Sequence, residues 1–267
     1  MNPDRVDVSK IDGPVQAPAY DPARYGDTHA EVYDQIYAGA FPTDQAVRRL
    51  VELAATRPGP MLDLGVGTGR LALPLYHAGV EIHGIDSSTA MIARLRGVAA
   101  AEEIPVWQAD IADFEVAHRY AVIILAVSTL FMLPDRAAQM KCLRCAARHL
   151  LPDGLLVIEA FVPNPRRYDT DGHRIELRHL DDTGLHLVLS QHQPTQQAIE
   201  VIHVLAGPNG MHRYQVQLNY AWPLELDLMA TLAGLELLER AGGWDHQPYD
   251  QATVDHVTIY HKPVIRP

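Results

Sequence analysis

Short apolar runs alternate with longer amphipathic segments through the middle of the chain. The apolar runs hold consecutive Leu, Ile, Val and Ala residues and predict buried strands at 61–65, 81–86, 105–110, 120–127 and 155–161. The segments between them carry apolar residues every three or four positions and predict helices at 68–79, 88–98 and 134–150. Strands that are apolar on both faces belong to parallel sheets with helices on either side. The pattern therefore predicts an α/β fold with a mostly parallel sheet.

Prolines and polar residues shape the region before the first strand. Residues 27–56 have helical spacing, and Pro42 divides them into two helices because proline cannot donate a backbone hydrogen bond. Pro74 lies inside the helix predicted at 68–79 and is expected to delay or kink it. Residues 1–26 are weakly patterned and rich in proline, which predicts a flexible leader.

The hydrophobic period changes to two between residues 173 and 220, where turn sequences DDTG, PT and GPNG separate the segments. This predicts an antiparallel meander of three or four strands, inserted after the fifth parallel strand. A helix at 223–234 and strands at 235–243 and 256–262 then complete a seven-stranded sheet. The predicted organisation is a leader (1–26), the first part of the core (27–165), a β insertion or lid (166–221) and the last part of the core (222–267).

Charge and composition bear on partners and location. The chain has 22 Lys+Arg against 33 Asp+Glu, a net charge of -11, so we expect no nucleic acid and no anionic membrane as partner. Its longest apolar run, 121–127, is far shorter than the roughly 20 residues that span a bilayer, and the N-terminus lacks a signal-peptide core. We therefore expect a cytoplasmic protein. Cys142 and Cys145 fit as core thiols of the helix at 134–150.

A glycine-rich turn follows the first predicted strand and precedes a helix. Gly65, Gly67 and Gly69 let the backbone turn tightly and approach a ligand without Cβ clashes. The beginning of the next helix offers unpaired N–H groups to an anionic group. This arrangement predicts a ligand site at the carboxyl edge of the sheet.

Three carboxylates lie at the predicted ends of successive strands. Asp63 ends the first strand, Asp86 the second, and Asp110 follows the third. A carboxylate at the position of Asp86 can accept hydrogen bonds from both ribose hydroxyls of a nucleoside. Together with the glycines, the three carboxylates predict a nucleoside-binding crevice.

The spacing D-x-G-x-G-x-G differs from the G-x-G-x-x-G of dinucleotide-binding dehydrogenases. It resembles that of class I S-adenosylmethionine (SAM)-dependent methyltransferases, and the resemblance covers about residues 28–262. The pieces that carry it are MLDLGVGTGRLALPL, GIDSSTAMIARLR, WQADIADF and HLLPDGLLVIEAF, with Asp153 where many relatives have a second glycine. The C-terminal stretch is similar to the small-molecule branch, which includes amino-sugar and natural-product N- or O-methyltransferases. The resemblance implies a Rossmann-like fold and SAM as cofactor, with S-adenosylhomocysteine (SAH) as its product.

The resemblance also implies roles for residues of the donor site. Three glycines and Asp63 would line the methionine moiety, Asp86 would bind the ribose, and further residues would flank the adenine, the sulfonium and the covering segment. These cofactor-binding candidates are Tyr33, Tyr37, Asp63, Gly65, Gly67, Gly69, Asp86, Ser87, Met91, Asp110, Ile111, Val127 and Ser128.

The acceptor side has weaker signals. Six of the 14 histidines fall in the predicted insertion, and His192 and His203 are the candidates for a general base because their strands can face the crevice. The candidates for acceptor binding are Phe131, Phe161, Arg213 and Tyr220. Phe131 and Phe161 can equally pack the joint between core and insertion. No histidine spacing resembles a metal site, so we expect no catalytic metal.

The resemblance implies SAM-dependent methyl transfer to N or O of a small molecule in secondary metabolism. The residues leave the acceptor atom open. One alternative is a SAM-binding protein without methyl transfer, acting as another enzyme or as an assembly or regulatory partner. Another is a nicotinamide enzyme, because Asp86 would also suit an NAD ribose. A homodimer formed through the β insertion is a further expectation.

Overall fold

A computed structural model describes residues 20–264 except residues 38, 183 and 209. Its main sheet has seven strands in the order β10-β11-β5-β4-β1-β2-β3, and β11 runs antiparallel to both its neighbours. This confirms the predicted Rossmann-like sheet. The strands are β1 (Met61–Leu64), β2 (Ile82–Asp86), β3 (Val106–Gln108), β4 (Tyr120–Leu125), β5 (Leu150–Phe161), β10 (Glu236–Ala241) and β11 (Asp255–His261).

The helices lie before and between these strands. They are α1 (Arg24–His29), α2 (Tyr33–Ile36), α3 (Thr43–Thr56), α4 (Ala72–His77), α5 (Thr89–Arg96), α6 (Arg136–His149) and α7 (Pro223–Leu232). Helix α4 begins four residues later than the predicted start, with Pro74 in its first turn, because proline is tolerated there and not further inside. Helix α3 follows Pro42 directly, as the sequence predicts.

The segment predicted as one helix before Pro42 forms two short helices, and the first of them begins inside the predicted leader. Helix α1 packs closely on the start of α5, where a Cβ on Gly26 would lie 2.3 Å from the Cβ of Ser88. Asp27 accepts a hydrogen bond of 2.6 Å from the Ser88 hydroxyl. These contacts hold residues 20–26 against the core, while the rest of the predicted leader, 1–19, lies outside the described residues.

Buried apolar side chains form one cluster on each side of the main sheet. Cys142 and Cys145 of α6 are buried free thiols in the first cluster, as expected from their helical spacing. Asp153 has φ 60 where the pairing of β5 with β4 is irregular, a backbone region that glycine adopts readily. Among the described residues, no helix is long and apolar enough to cross a membrane.

The insertion is a separate four-stranded antiparallel sheet in the order β6-β7-β8-β9. Its strands are β6 (His173–Asp181), β7 (Gly184–Gln193), β8 (Ala198–Gly207) and β9 (Gly210–Asn219). Val188, His203 and Tyr214 are paired directly across three strands and therefore share one face, the inner face. Tyr214 contacts His29 of α1, so this face lies against the N-terminal helices.

The opposite, outer face of the insertion carries apolar residues mainly on β6, β7 and β8, and polar residues such as Arg213, Gln215 and Gln217 on β9. Register places on it Ile175, Leu177, Leu180, Leu185, Leu187, Leu189, Ile202, Val204 and Met211. Four of these side chains, on the two edge strands, are more than half exposed: Ile175, Leu177, Leu180 and Met211. Because both faces of this sheet carry apolar residues, alternation in the sequence does not indicate which face is covered.

Candidate functional site

The glycine loop leaves β1 at the carboxyl edge of the sheet. Gly65, Gly67 and Gly69 all have positive φ, of 80, 55 and 91. A Cβ on Gly65 or Gly69 would meet the side chains of neighbouring residues, whereas a Cβ on Gly67 would have only a backbone oxygen at 3.9 Å. The first and third glycines are therefore required by packing, whereas a Cβ at the second would meet no side chain.

Asp86 is fixed beside this loop by backbone donors. Its carboxylate accepts hydrogen bonds from the N–H of Gly67 at 2.8 Å and of Ser88 at 2.9 Å. Burial raises the pKa of Asp86, and these two donors oppose the rise. The carboxylate is thus oriented at the end of β2 before any ligand arrives.

Asp63 is a buried carboxylate at the base of the crevice. It is 4% exposed, and burial raises its pKa to about 7, an effect that Arg70 opposes and that Asp86 and Glu159 increase. Three carboxylates therefore face one guanidinium in this region. A cationic ligand group at this point would relieve that imbalance.

The residues predicted to flank an adenine lie after β2, in α5 and after β3. The Ser87 hydroxyl donates to the carbonyl of Pro22 at 2.6 Å, and Met91 is buried beneath α1. Asp110 accepts from the N–H of Ala112 at 2.8 Å, and Ile111 packs on the apolar cluster of the sheet. The N-terminal segment thus covers this end of the crevice.

The next feature is a cavity of about 410 Å³ between the N-terminal helices and the glycine loop, named here the loop cavity. Tyr33 and Tyr37 line it together with Gly69 and Arg70, so the structure brings these predicted residues together. Arg70 donates to the Thr43 hydroxyl at 3.2 Å and lies over the Phe41 ring at 5.2 Å. The cavity therefore has a guanidinium on its wall.

The chain leaves β4 in a strained conformation. Val127 and Ser128 both have left-handed backbones, with φ of 49 and 58, which are costly for side chains with a Cβ. Glu159 of β5 holds this turn: its carboxylate accepts from the Val127 N–H at 2.8 Å, and its carbonyl accepts from the Ser128 N–H at 2.9 Å. The same carboxylate accepts from the Trp244 Nε1–H at 2.7 Å and lies 3.6 Å from Arg70.

A second cavity, of about 290 Å³, lies at the carboxyl ends of β4 and β5 and is named here the edge cavity. Its wall includes Phe41, Ser128, Phe161 and Trp244, and its carboxylates are Glu159, Asp245 and Asp255. Phe41 lines both cavities, so the two are neighbours. Among the described residues that line the edge cavity, none is Lys or Arg. The cavity thus combines aromatic surface with acidic groups.

The two candidate histidines occupy different surroundings. His203 is 6% exposed, and its Nε2 lies 3.4 Å from the Tyr37 hydroxyl, which places it beside the loop cavity. His192 is also buried and is hydrogen-bonded through Nε2 to the Tyr220 hydroxyl at 2.9 Å. It stacks on Tyr168 in the joint between insertion and core and lines neither cavity.

Of the four residues predicted to bind an acceptor, Phe161 lines the edge cavity. Phe131 and Tyr220 are almost fully buried and pack around Phe161 in the joint, with ring centroids 5.3 and 6.3 Å from it. Arg213 is exposed on the outer face of the insertion, opposite Val204, because the strand register turns it away from the core. Phe131, Arg213 and Tyr220 therefore line neither cavity, and their role in acceptor binding stays a prediction.

Sequence reasoning missed Glu159, Arg70 and Trp244, although one signal was present. Glu159 interrupts the apolar run LLVIEAF near its carboxyl end, and a charged residue in a buried strand requires a partner or a function. Arg70 and Trp244 carry no such signal, because ordinary loops contain similar residues.

Comparisons with known proteins agree with this geometry. Residues 61–154 match a family described as "Methyltransferase domain". The structure of the CcbJ methyltransferase from Streptomyces caelestis is 35% identical with a TM-score of 0.83, covering 92% of this chain and 100% of that one. The cypemycin N-terminal methyltransferase of a Streptomyces sp is 24% identical over 230 residues, 86% of this chain and 94% of that protein. SAM-bound CalS10, an amino pentose methyltransferase from Micromonospora echinaspora, shares the fold at 18% identity and a TM-score of 0.68, covering 93% and 99% of the two chains.

Proposed function

We propose that this chain, which belongs to the class I family of SAM-dependent methyltransferases, transfers a methyl group to an amine nitrogen of a small natural product. Methyl transfer from SAM follows from the family, whereas the amine acceptor is the step proposed. The observation that carries it is the edge cavity, whose carboxylates and aromatic rings adjoin the loop cavity and suit a cationic group. The resemblance to enzymes that methylate an amino pentose and a peptide N-terminus supports the same acceptor chemistry.

On the donor side, each part of SAM is assigned to particular residues. Bound SAM supplies an electrophilic methyl carbon attached to a sulfonium. We assign Asp63 to its ammonium, Arg70 to its carboxylate and Asp86 to its ribose hydroxyls. The open space at Gly67 agrees with this, because a ligand can lie against the backbone there. Ser87, Met91, Asp110 and Ile111 remain assigned to the adenine end.

The acceptor side is organised by Glu159. Its carboxylate lines the edge cavity and also holds the Val127–Ser128 turn and Trp244 by the hydrogen bonds described above. A protonated amine entering this cavity would be held by the carboxylates and by the faces of Phe41 and Trp244. These groups would orient the acceptor toward the loop cavity.

The proposed mechanism relies on position more than on covalent chemistry. Holding the two reacting atoms at about 3 Å in a site shielded from water can supply a large part of the acceleration. The N-terminal helices and the insertion provide that shield on one side, and the sheet edge on the other. An amine attacks only as the neutral form, so the site must also release the proton of an ammonium acceptor.

The test is a methyl-transfer assay with paired acceptors. Wild-type protein is incubated with labelled SAM and either an amino pentose or the pentose with a hydroxyl in its place, and with a short peptide or its N-acetylated form. We expect labelled product from the free amines and none from the paired controls. Transfer to the hydroxyl pentose with none to either amine would contradict the proposal, whereas saturable binding of SAH without any transfer would favour the non-methylating alternative.

We also propose that the outer face of the insertion forms a homodimer. Four strands about 4.8 Å apart and about eight residues long give a face of roughly 500 Å², so two copies would bury about 1,000 Å², the lower range for a specific interface. The apolar part of this face, on β6, β7 and β8, can pack against itself in a second copy, as a two-fold contact requires. The four exposed side chains of its edge strands have no cover within the described chain.

Light scattering after gel filtration tests this. We expect twice the chain mass for the wild type and a monomer for Leu177→Asp. Leu224→Asp, which changes a comparably exposed leucine on α7, is the matched control and should stay dimeric. A monomeric wild type would contradict the dimer without affecting the catalytic proposal.

We retain the cytoplasm as the proposed location, since Cys142 and Cys145 are unpaired thiols.

A further inference from the structure

A chain of hydrogen-bonding side chains runs from the loop cavity into the insertion. The Tyr25 hydroxyl donates to the Tyr37 hydroxyl at 3.2 Å, and the Tyr37 hydroxyl lies 3.4 Å from Nε2 of His203. Nδ1 of His203 is 3.1 Å from Nε2 of His186, which is partly exposed on the inner face of the insertion. This series of side chains therefore joins the wall of the loop cavity to the surface of the insertion.

The O–H and N–H groups in this series of side chains can all donate in the same direction, from Tyr25 toward His186. Because the Tyr37 oxygen accepts from Tyr25, its own proton is available to Nε2 of His203. A neutral His203 that accepts at Nε2 carries its proton on Nδ1, from which it donates to His186. Such a consistent direction is what proton transfer along side chains requires.

Tyr37 stands at the junction of the two cavities. It lines the loop cavity and stacks on Phe41 at 5.5 Å between ring centroids, and Phe41 also lines the edge cavity. We propose that Tyr37, His203 and His186 form a proton relay that carries the proton of an ammonium acceptor out to solvent. This inference rests on the amine acceptor proposed above.

Each residue of the relay gains one proton and releases one. The N–H bond of the ammonium breaks toward the Tyr37 oxygen while the Tyr37 proton moves to Nε2 of His203. The Nδ1 proton of His203 moves to Nε2 of His186, and the Nδ1 proton of His186 passes to water. The nitrogen keeps the electron pair that then forms the N–C bond as the C–S bond of the donor breaks. No oxidant or reductant is involved.

The surroundings of His203 keep charge from staying there. Burial lowers its pKa to about 4, and the neighbouring cations and histidines add to the effect. A proton that reaches it is therefore passed on and not stored. The titratable groups that face it from α1, α2, β6, β7 and β9 are Tyr25, His29, Tyr37, Arg178, His186 and Tyr214.

The experiment compares the pH profiles of kcat for wild type, His203→Gln and His186→Ala, using the short peptide with a free N-terminus. We expect kcat at pH 7 to fall by about 10- to 100-fold in His203→Gln and by less in His186→Ala. The loss should shrink above about pH 8, where a peptide amine is already neutral in solution. SAH affinity and the KM for SAM should be unchanged, and added imidazole should restore part of the activity of His186→Ala.

His212→Gln is the matched control. His212 lies beside Tyr214 on the same face of the insertion as His203 and His186, but it is not one of the residues of the proposed relay. It should behave as wild type. A loss that is equal at all pH values, with no rescue by imidazole, would overturn the relay while leaving amine methylation intact. If the wild type methylates the hydroxyl pentose and no amine, the proposed function fails and the relay with it. If His203→Gln does not fold, the pH profile of His186→Ala still tests the relay, because His186 is partly exposed and its replacement should be tolerated.

Discussion

The donor half and the acceptor half of the site differ in how the chain builds them. The groups assigned to the donor's methionine moiety and ribose lie within one continuous stretch, from Asp63 to Asp86, and are fixed by the backbone of two adjacent strands. The edge cavity takes Phe41, Glu159 and Trp244 from segments far apart in sequence. A site built from one stretch can be identified from spacing alone. A site assembled from distant segments depends on the whole fold, and its residues can change without disturbing the donor half.

The largest effect is expected from filling the open space at the glycine loop. Gly67→Val places a branched side chain where the ligand is assigned, and we expect SAH affinity to fall by more than about 100-fold. Gly234→Val is the matched control: Gly234 also has positive φ and open space, but it follows α7, whereas Gly67 donates its N–H to the Asp86 carboxylate. Valine strains the backbone at both positions, so both variants should lose stability. Calorimetric titration should show a loss of SAH binding in Gly67→Val alone. Normal SAH affinity in Gly67→Val would remove the glycine loop from the donor half.

The next effect concerns the carboxylate at the end of β2. Asp86→Ala removes the proposed acceptor for two ribose hydroxyls, and we expect SAH binding to weaken by about 1–3 kcal/mol, or about 5- to 150-fold. Asp113→Ala, which removes an exposed carboxylate paired with Lys141, should leave titrations unchanged. Equal affinities for wild type and Asp86→Ala would contradict the ribose assignment and weaken the distinction between the two halves.

The features that can be predicted from the sequence follow the same division between local and long-range structure. The parallel strands, the glycine turn and the positions of Asp63 and Asp86 are predictable because local spacing determines them. The face of Arg213 is not predictable, because both faces of the insertion are apolar and a shift of one residue exchanges them. The beginning of α1 within the predicted leader depends on the fit of Gly26 against Ser88, a contact between segments distant in sequence.

A smaller effect should appear when the acceptor half alone is disturbed. Glu159→Gln keeps the shape but leaves one of two donors, the Val127 N–H or the Trp244 Nε1–H, without an acceptor. We expect kcat/KM for an amine acceptor to fall about tenfold while SAH affinity stays within about twofold, because the altered turn lies on the acceptor side. Glu225→Gln is the matched control. It also accepts two hydrogen bonds, from the Trp222 N–H and the Gln197 side chain, but it lies away from both cavities. A parallel loss of SAH affinity in Glu159→Gln would show that the two halves are not separable.

The last effect is a pH dependence centred on Asp63. Burial raises the pKa of this carboxyl to about 7 in the ligand-free protein, above its ordinary value in an unfolded chain. The folded state therefore holds a proton that the unfolded state has released, and stability should fall as pH rises from about 4 to about 7.

Binding should have the opposite slope, because an ionised Asp63 attracts the ammonium of SAH. Affinity should rise by up to about tenfold per pH unit below the pKa and level off above it. Asp63→Asn cannot ionise, so both slopes should disappear together in melting curves and titrations at pH 5 to 8. One slope surviving in Asp63→Asn would assign it to another group, and a wild type without either slope would contradict the role of Asp63. If stability falls and SAH affinity rises with pH through the same carboxyl, then ionised Asp63 destabilises the free protein, and the ammonium group of the ligand offsets this destabilisation.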